Sequence, residues 1–395
     1  MIETWRWFGP QDAISLQKIR QAGAKGIVTA LHDVPTGEVW PIEAIAERKR
    51  IIEAAGLQWT VIESIPVHND IKTRTGDYQR YIANYQQSII NAASCGVSTI
   101  CYNFMPVVDW TRTNLMYKLA NNSHALRFEM TDFAAYDIYL LEREGAEQSY
   151  DQGVLDKARS RFMQMNDEEK IALEKNIISG LPGGEGSYTR DSIRQAISQF
   201  IQLGTEGFRD NLKQFLQAII PVAEQAGARM CIHPDDPPFS LFGLPRVVST
   251  ASDARQLLAA CPSAANGLTL CAGSYGAKGD NDLVAMAREF GPSIYFVHLR
   301  NVIREADGSF YESDHLDGDN DMVGLVAALL SEEKARQARG EGDLLIPMRP
   351  DHGHLLDDEL SSPDIKPGYS YMGRLKGLAE LRGVMHTVAT FINRH

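Results

Sequence analysis

Short runs that are apolar on both faces punctuate this chain, separated by stretches whose apolar positions recur at helical spacing. Eight runs stand out: 4–8 (TWRWF), 26–31 (GIVTAL), 59–64 (WTVIES), 98–104 (STICYNF), 228–234 (ARMCIHP), 268–273 (LTLCAG), 294–300 (IYFVHLR) and 346–352 (IPMRPDH). Most lack alternation, which marks strands covered on both sides, as in a parallel sheet. Residues 41–55 read as one of the intervening helices, and the glycines at 23 and 56 stand where helices should end. Strand and helix alternating in this way predict an α/β protein, a (β/α)₈ TIM barrel, with a doubly wound sheet as the rival.

The spacing of the runs is uneven. Residues 105–227, between the fourth and fifth strands, are too many for one crossover. They contain charged helical segments at 132–143, 151–164 and 167–178, a Gly-rich turn at 181–187 and a regular helix at 210–226. The expected organisation is a single barrel domain over 1–395, with a helical insertion, 105–209, over the C-terminal face as a lid or dimer contact. A polar loop at 304–321 and a helix at 322–339 fall between the last two strands, and a helix at 372–393 closes the barrel.

The chemistry lies at the strand ends. The fifth strand ends in His233, the sixth carries Cys271, the seventh ends near His298 and the eighth ends at Asp351. Each alone has an ordinary reading, as core filler, a hydrogen-bonded histidine or a turn. In a barrel, however, neighbouring C-terminal strand ends converge on one cavity. Two imidazoles, a thiolate and a carboxylate can together hold a divalent ion, with Mn²⁺, Fe²⁺, Co²⁺ and Zn²⁺ all open. His32, Glu63, His68 and Asn103 add polar groups near other strand ends, and Arg349 lies two residues before Asp351, on the same side of a regular strand. A mouth of this kind suits a small anionic, hydroxyl-rich substrate. Dinucleotide, P-loop, HExxH and GxSxG patterns are absent or broken.

Composition narrows the classes. With 39 basic against 51 acidic residues, a net charge of −12 and no basic block, nucleic acid and anionic membrane are poor partners. No apolar run is long enough to cross a membrane. The opening residues, MIETWRWFGP, carry no signal-peptide pattern, and five cysteines are too few for a disulfide scaffold. The expectation is a cytoplasmic enzyme and a homo-oligomer, most simply a dimer.

Long blocks along the whole chain resemble the mannonate dehydratases of the enteric type. They include TWRWFGP (4–10), VTALHDVPTGEVW (28–40), VIESIPVH (61–68), CYNFMPVVDWTRT (101–113), HPDDPP (233–238), CAGSYGAKGDND (271–282), HLRNV (298–302) and MRPDHGH (348–354). Ala272 stands where that family is expected to carry Thr. The resemblance implies a metal-dependent barrel lyase using Mn²⁺ or Fe²⁺, which converts D-mannonate to 2-dehydro-3-deoxy-D-gluconate in hexuronate (glucuronate) catabolism. It places the metal ligands on His233, Cys271, His298 and Asp351, and a catalytic tyrosine on Tyr369. Proton transfer then falls to His352 and Tyr369, with Arg349 holding the substrate carboxylate. The alternatives are a metal-dependent sugar isomerase or epimerase on the same barrel, and a sugar-acid-binding protein without turnover.

Overall fold

The computed structural model of the chain describes residues 1–178, 188–341, 345–362 and 364–392, so the Gly-rich turn expected at 181–187 lies outside them. Twelve strands are present among the described residues: β1 (Ile2–Arg6), β2 (Gly26–Thr29), β3 (Gln58–Glu63), β4 (Thr99–Tyr102), β5 (Asn114–Lys118), β6 (His124–Phe128), β7 (Arg229–Ile232), β8 (Asn266–Cys271), β9 (Ile294–His298), β10 (Val302–Arg304), β11 (Phe310–Glu312) and β12 (Pro347–Arg349). Eight of them pair in parallel and close a barrel in the order β1-β12-β9-β8-β7-β4-β3-β2. These are the eight expected strands, and β2, β8 and β9 are buried along their whole length. The helix Ile42–Ala54 ends as expected, with Gly56 in the left-handed region (φ 75°) that a side chain would strain.

The other four strands were not anticipated. They form an antiparallel sheet in the order β10-β11-β6-β5, so the stretches read as helical insertion and polar loop contribute strands. Each is only three to five residues long. The central pairing, Phe310 with Phe128, joins segments far apart in sequence, which no local pattern can announce. Helices account for most of the other described residues of the insertion. Gln152–Gln164 starts where Asp151 accepts from the Val154 amide, and Asp167–Ile178 follows. Arg190–Ala226 opens on a Thr189/Ser192 capping box and breaks at Gly204, so the expected helix 210–226 is its second half. Met322–Ala338 and Tyr371–Ile392 match the late helices.

Strand periodicity sets the level of the site. Val28, Val61, Cys101, Cys231 and Phe296 form a small buried cluster of their own, and Thr269 joins it by donating to Cys101 Sγ at 3.3 Å. Side chains two residues further along a strand point to the same side, one layer nearer the C-terminal ends. That layer holds Glu63, Asn103, His233, Cys271 and His298. The barrel is thus packed apolar below and polar above, as barrels filled by stacked side-chain layers require.

Outside the barrel, the second half of helix Arg190–Ala226 packs on β4 through Phe215, whose ring lies 5.9 Å from Tyr102, and on the aromatic rings around it. Phe208 lies 5.1 Å from Phe104 and 5.5 Å from Phe200, and Phe215 lies 5.2 Å from Tyr85. Among the described residues, no helix is long and apolar enough to cross a membrane. Phe208 is fully buried, so Phe208→Ala should lower unfolding stability by about 3–5 kcal/mol in urea titration. A loss under about 1 kcal/mol would mean that this helix is not docked as described.

Candidate active site

A cavity of about 290 Å³ opens at the C-terminal end of the barrel. Its walls include Arg6, His32, Glu63, Asn103, His233, Asp236, Arg300, Arg349, Asp351, His352 and Tyr369. Val107–Trp110, Ile178 and Tyr188, from the long segment after β4, line it as well. His68 is not among these residues. It caps the short helix Asn69–Thr73 by accepting from the Asp70 amide at 3.0 Å, and its ring stacks on Tyr81. A histidine just past a strand end can serve the next helix as readily as the barrel mouth, and here the cap wins.

The four strand-end residues do meet. Donor atoms of His233, Cys271 and His298 all lie within 4.8 Å of one another, and Asp351 Oδ2 lies 3.9 Å from Cys271 Sγ and 3.8 Å from His298 Nδ1. Their outer contacts determine which atoms face inward. His233 Nδ1 is 2.7 Å from the Pro234 carbonyl and must donate to it, which leaves Nε2 as a lone pair. His298 Nε2 lies 3.3 Å from Glu63 Oε1, within ion-pair range but without hydrogen-bond geometry. His233 Nε2 and His298 Nδ1 are 3.2 Å apart, within hydrogen-bond distance of each other. Burial pushes His233 below its ordinary value, so its ring is neutral. Cys271 Sγ accepts from the Ser274 amide at 3.4 Å and its hydroxyl at 3.1 Å. Asp351 has a left-handed backbone (φ 67°), unusual for a non-glycine residue, and this turn aims its carboxylate at the cluster. Two imidazole nitrogens, a sulfur and a carboxylate oxygen turned on one space fit a divalent metal.

Next to the cluster, His352 is held by Glu312, whose carboxylate oxygens are 2.7 and 2.8 Å from Nδ1. The Nδ1–H therefore donates to Glu312, which leaves Nε2 as the accepting nitrogen. Arg300 Nη1 lies 3.1 Å from the same Nδ1, but two donors cannot share that contact, and its partner is Glu312 Oε1 at 3.3 Å. Tyr369 packs edge-on against His352 (4.8 Å between centroids) and Phe8 (4.9 Å), and burial raises its phenol above the ordinary value.

Arg349 does not stand free. One Nη donates to Asp351 Oδ1 and the other to Glu63 Oε1 at 2.8 Å. Burial alone would raise the two carboxylates, yet Arg349 and the other cations hold both well below their usual range.

Glu312, Arg112, Asp236 and Arg300 are essential to this arrangement and were not singled out from the sequence. Fully buried Arg112 donates to Asp236 Oδ1 at 2.7 Å and to Glu312 Oε1 at 3.2 Å, while Arg300 donates to Asp236 Oδ2 at 2.7 Å. Gly273 makes room for this, since a Cβ there would stand 1.8 Å from Arg300 Nε. Asp236 lies three residues past His233, and its place in HPDDPP was the available signal. Glu312 sat in a stretch read as loop.

Asp236 is held below its ordinary value by Arg112 and Arg300 against the opposing effect of burial. Its stabilisation is therefore complete above the unfolded carboxylate value of about 4 and is lost as pH falls below it. Arg112→Met should cost about 3–5 kcal/mol at neutral pH and flatten the loss of stability on acidification from pH 5 to 3. Urea titrations across that range decide it, and equal acid slopes in both proteins would refute the pairing.

Comparison with known proteins agrees over the full length. The family model described as D-mannonate dehydratase (UxuA) matches residues 1–395. A mannonate dehydratase of Saccharophagus degradans is 72% identical over 395 residues, covering 100% of both chains. Mannonate dehydratase 2 of Agrobacterium fabrum is 54% identical over 394 residues, covering 100% of this chain and 99% of that protein. The crystal structure of a mannonate dehydratase from Streptococcus suis serotype 2 superposes with a TM-score of 0.77 at 33% identity, covering 100% of this chain and 95% of that one. These findings support the dehydratase reading and not the sugar isomerase alternative. The chain belongs to the D-mannonate dehydratase (UxuA) family.

Proposed function

We propose that this protein is a hydro-lyase that removes water across C2 and C3 of D-mannonate, giving 2-dehydro-3-deoxy-D-gluconate in hexuronate breakdown. The observation that carries the reading is one cavity, in a chain of this family, where the four-donor cluster adjoins a histidine whose Nδ1 is held by a buried carboxylate. His233, Cys271, His298 and Asp351 are the ligands of a Mn²⁺ or Fe²⁺ ion. When bound, that ion supplies positive charge beside the substrate as its carboxylate takes up the electrons of the broken C2–H bond.

The charges suit an acidic substrate. The guanidinium groups of Arg6, Arg112, Arg300 and Arg349 are matched by the carboxylates of Glu63, Asp236, Glu312 and Asp351. A divalent ion with one thiolate then leaves a single positive charge, which one substrate carboxylate neutralises. Arg349, with both Nη groups engaged, works by fixing Asp351 and Glu63 rather than by gripping the substrate carboxylate on its own. His352 Nε2 takes the C2 proton, its ring oriented by Glu312. Tyr369, kept protonated by burial, gives its proton to the departing 3-hydroxyl.

Trp110, Ile178 and Tyr188, from the described part of segment 105–209, line the cavity and limit water at the reacting carbons. Five cysteines without disulfides suit the reducing cytoplasm, and a symmetric dimer is the expected assembly.

Chelator-stripped protein should form no 2-keto-3-deoxy product from D-mannonate, and anaerobic return of Mn²⁺ or Fe²⁺ should restore it. Full turnover by verified metal-free protein would rule out the ion. In D₂O, His352→Ala should lose C2-proton exchange and turnover together, by about 10²–10⁴-fold. Tyr369→Phe should slow elimination while exchange persists. Exchange undiminished in His352→Ala would remove His352 as the base.

A further inference from the structure

His32 follows β2, and β2 lies four places from β8 in the ring of eight strands, diametrically across the barrel from Cys271. The four-donor cluster occupies the adjoining strands β7, β8, β9 and β12, so His32 is on the far wall of the same cavity. Both of its ring nitrogens are shielded from bulk water, and neither has a hydrogen-bond partner among the described residues. Buried polar atoms are nearly always paired, and two on one ring that faces a cavity point to a ligand.

The groups around His32 are otherwise engaged. Phe8 meets the ring edge-on at 6.0 Å and offers no hydrogen bond. Arg6 is paired with Glu63 at 3.2 Å. Arg48 donates to the Ala30 carbonyl at 2.8 Å and pairs loosely with exposed Asp33 at 3.9 Å. Lys366 sits over the Phe8 ring at 4.7 Å. Nothing among the described residues takes up the imidazole.

We propose that His32 is a specificity residue whose ring hydrogen-bonds a hydroxyl on the substrate carbons remote from the reacting C2 and C3. The proposal rests on the dehydratase reading, which places those reacting carbons at the His352 side. A linear six-carbon acid anchored there extends its C5 and C6 hydroxyls across the cavity. Burial, with Arg6 and Arg48 nearby, lowers His32 to about 4. The ring is then neutral, with one donor and one acceptor. That matches a hydroxyl, which also donates and accepts, and would suit a carboxylate less well. A site built to pair a hydroxyl also discriminates sharply against an analogue lacking it.

The test pairs the residue with the hydroxyl. In metal-loaded enzyme, His32→Leu should lower kcat/KM for D-mannonate by about 10- to 100-fold, mainly through KM, with His32→Asn intermediate. On whichever of 5-deoxy- and 6-deoxy-D-mannonate lacks the recognised group, wild type should fall by a similar factor, and His32→Leu should cost less than about 3-fold more. Penalties that multiply fully on both analogues would overturn the proposal, as would unchanged kinetics in His32→Leu. If His32→Leu does not fold, His32→Asn and His32→Gln carry the same cycle. Calorimetric binding of the three acids separates the two readings. Without turnover by wild type the dehydratase reading fails, while coupled binding losses would still assign His32 to the tail. Equal affinity of wild type for all three acids would reject it.

Discussion

His233 Nε2 and His298 Nδ1 face each other 3.2 Å apart, each ring having its other nitrogen turned to an oxygen, Pro234 O for one and Glu63 Oε1 for the other. Cys271 and Asp351 add a sulfur and a carboxylate oxygen to the same space. Nitrogen, sulfur and oxygen donors gathered this closely need a proton or a cation among them. Much of the upper barrel can be understood as the response to that condition. The donors stand on strands that the closed sheet forces together, and their outer partners prevent either ring from turning away.

The same condition explains the density of arginine. Arg6, Arg112, Arg300 and Arg349 are all buried, and each is paired with a carboxylate. Isolated, any one of these charges would be costly in so dry a setting. Linked, they hold Asp351, Glu63, Asp236 and Glu312 ionised and fixed in direction. A preorganised set of this kind does not have to rearrange as charge moves during a reaction, which is where electrostatic catalysis gains most.

Parts of the chain outside the barrel proper complete the centre. Glu312 comes from β11, in the small antiparallel sheet, and reaches His352 from there. Arg112, just before β5, ties that glutamate to Asp236. Trp110, Ile178 and Tyr188 close one side of the cavity, and His32 faces the donor cluster from the other. The barrel is a frame that many chemistries share. What distinguishes this chain is which residues these additions bring to the mouth.

All eight barrel strands, the late helices and the four donor residues could be read from the chain before any coordinates. Buried strands announce themselves by local apolar runs, and their C-terminal ends are adjacent by topology alone. The resemblance of long blocks also named the family. The second sheet, by contrast, depends on Phe310 meeting Phe128, and a pair of three- to five-residue strands so distant in sequence has no local signature. For the same reason Glu312 looked like a loop residue and Arg112 like one polar residue among others, since a buried ion pair is defined by its partner's position. Arg349 and His68 were legible as residue types but not in their engagements, because either could bind a ligand or satisfy a neighbour. Local pattern thus determined which elements form and which chemistries stand at their ends. Only the tertiary structure decided which charges pair, which histidine nitrogens stay bare and which polar groups remain open to a substrate, because those depend on distances between residues that the chain order does not constrain.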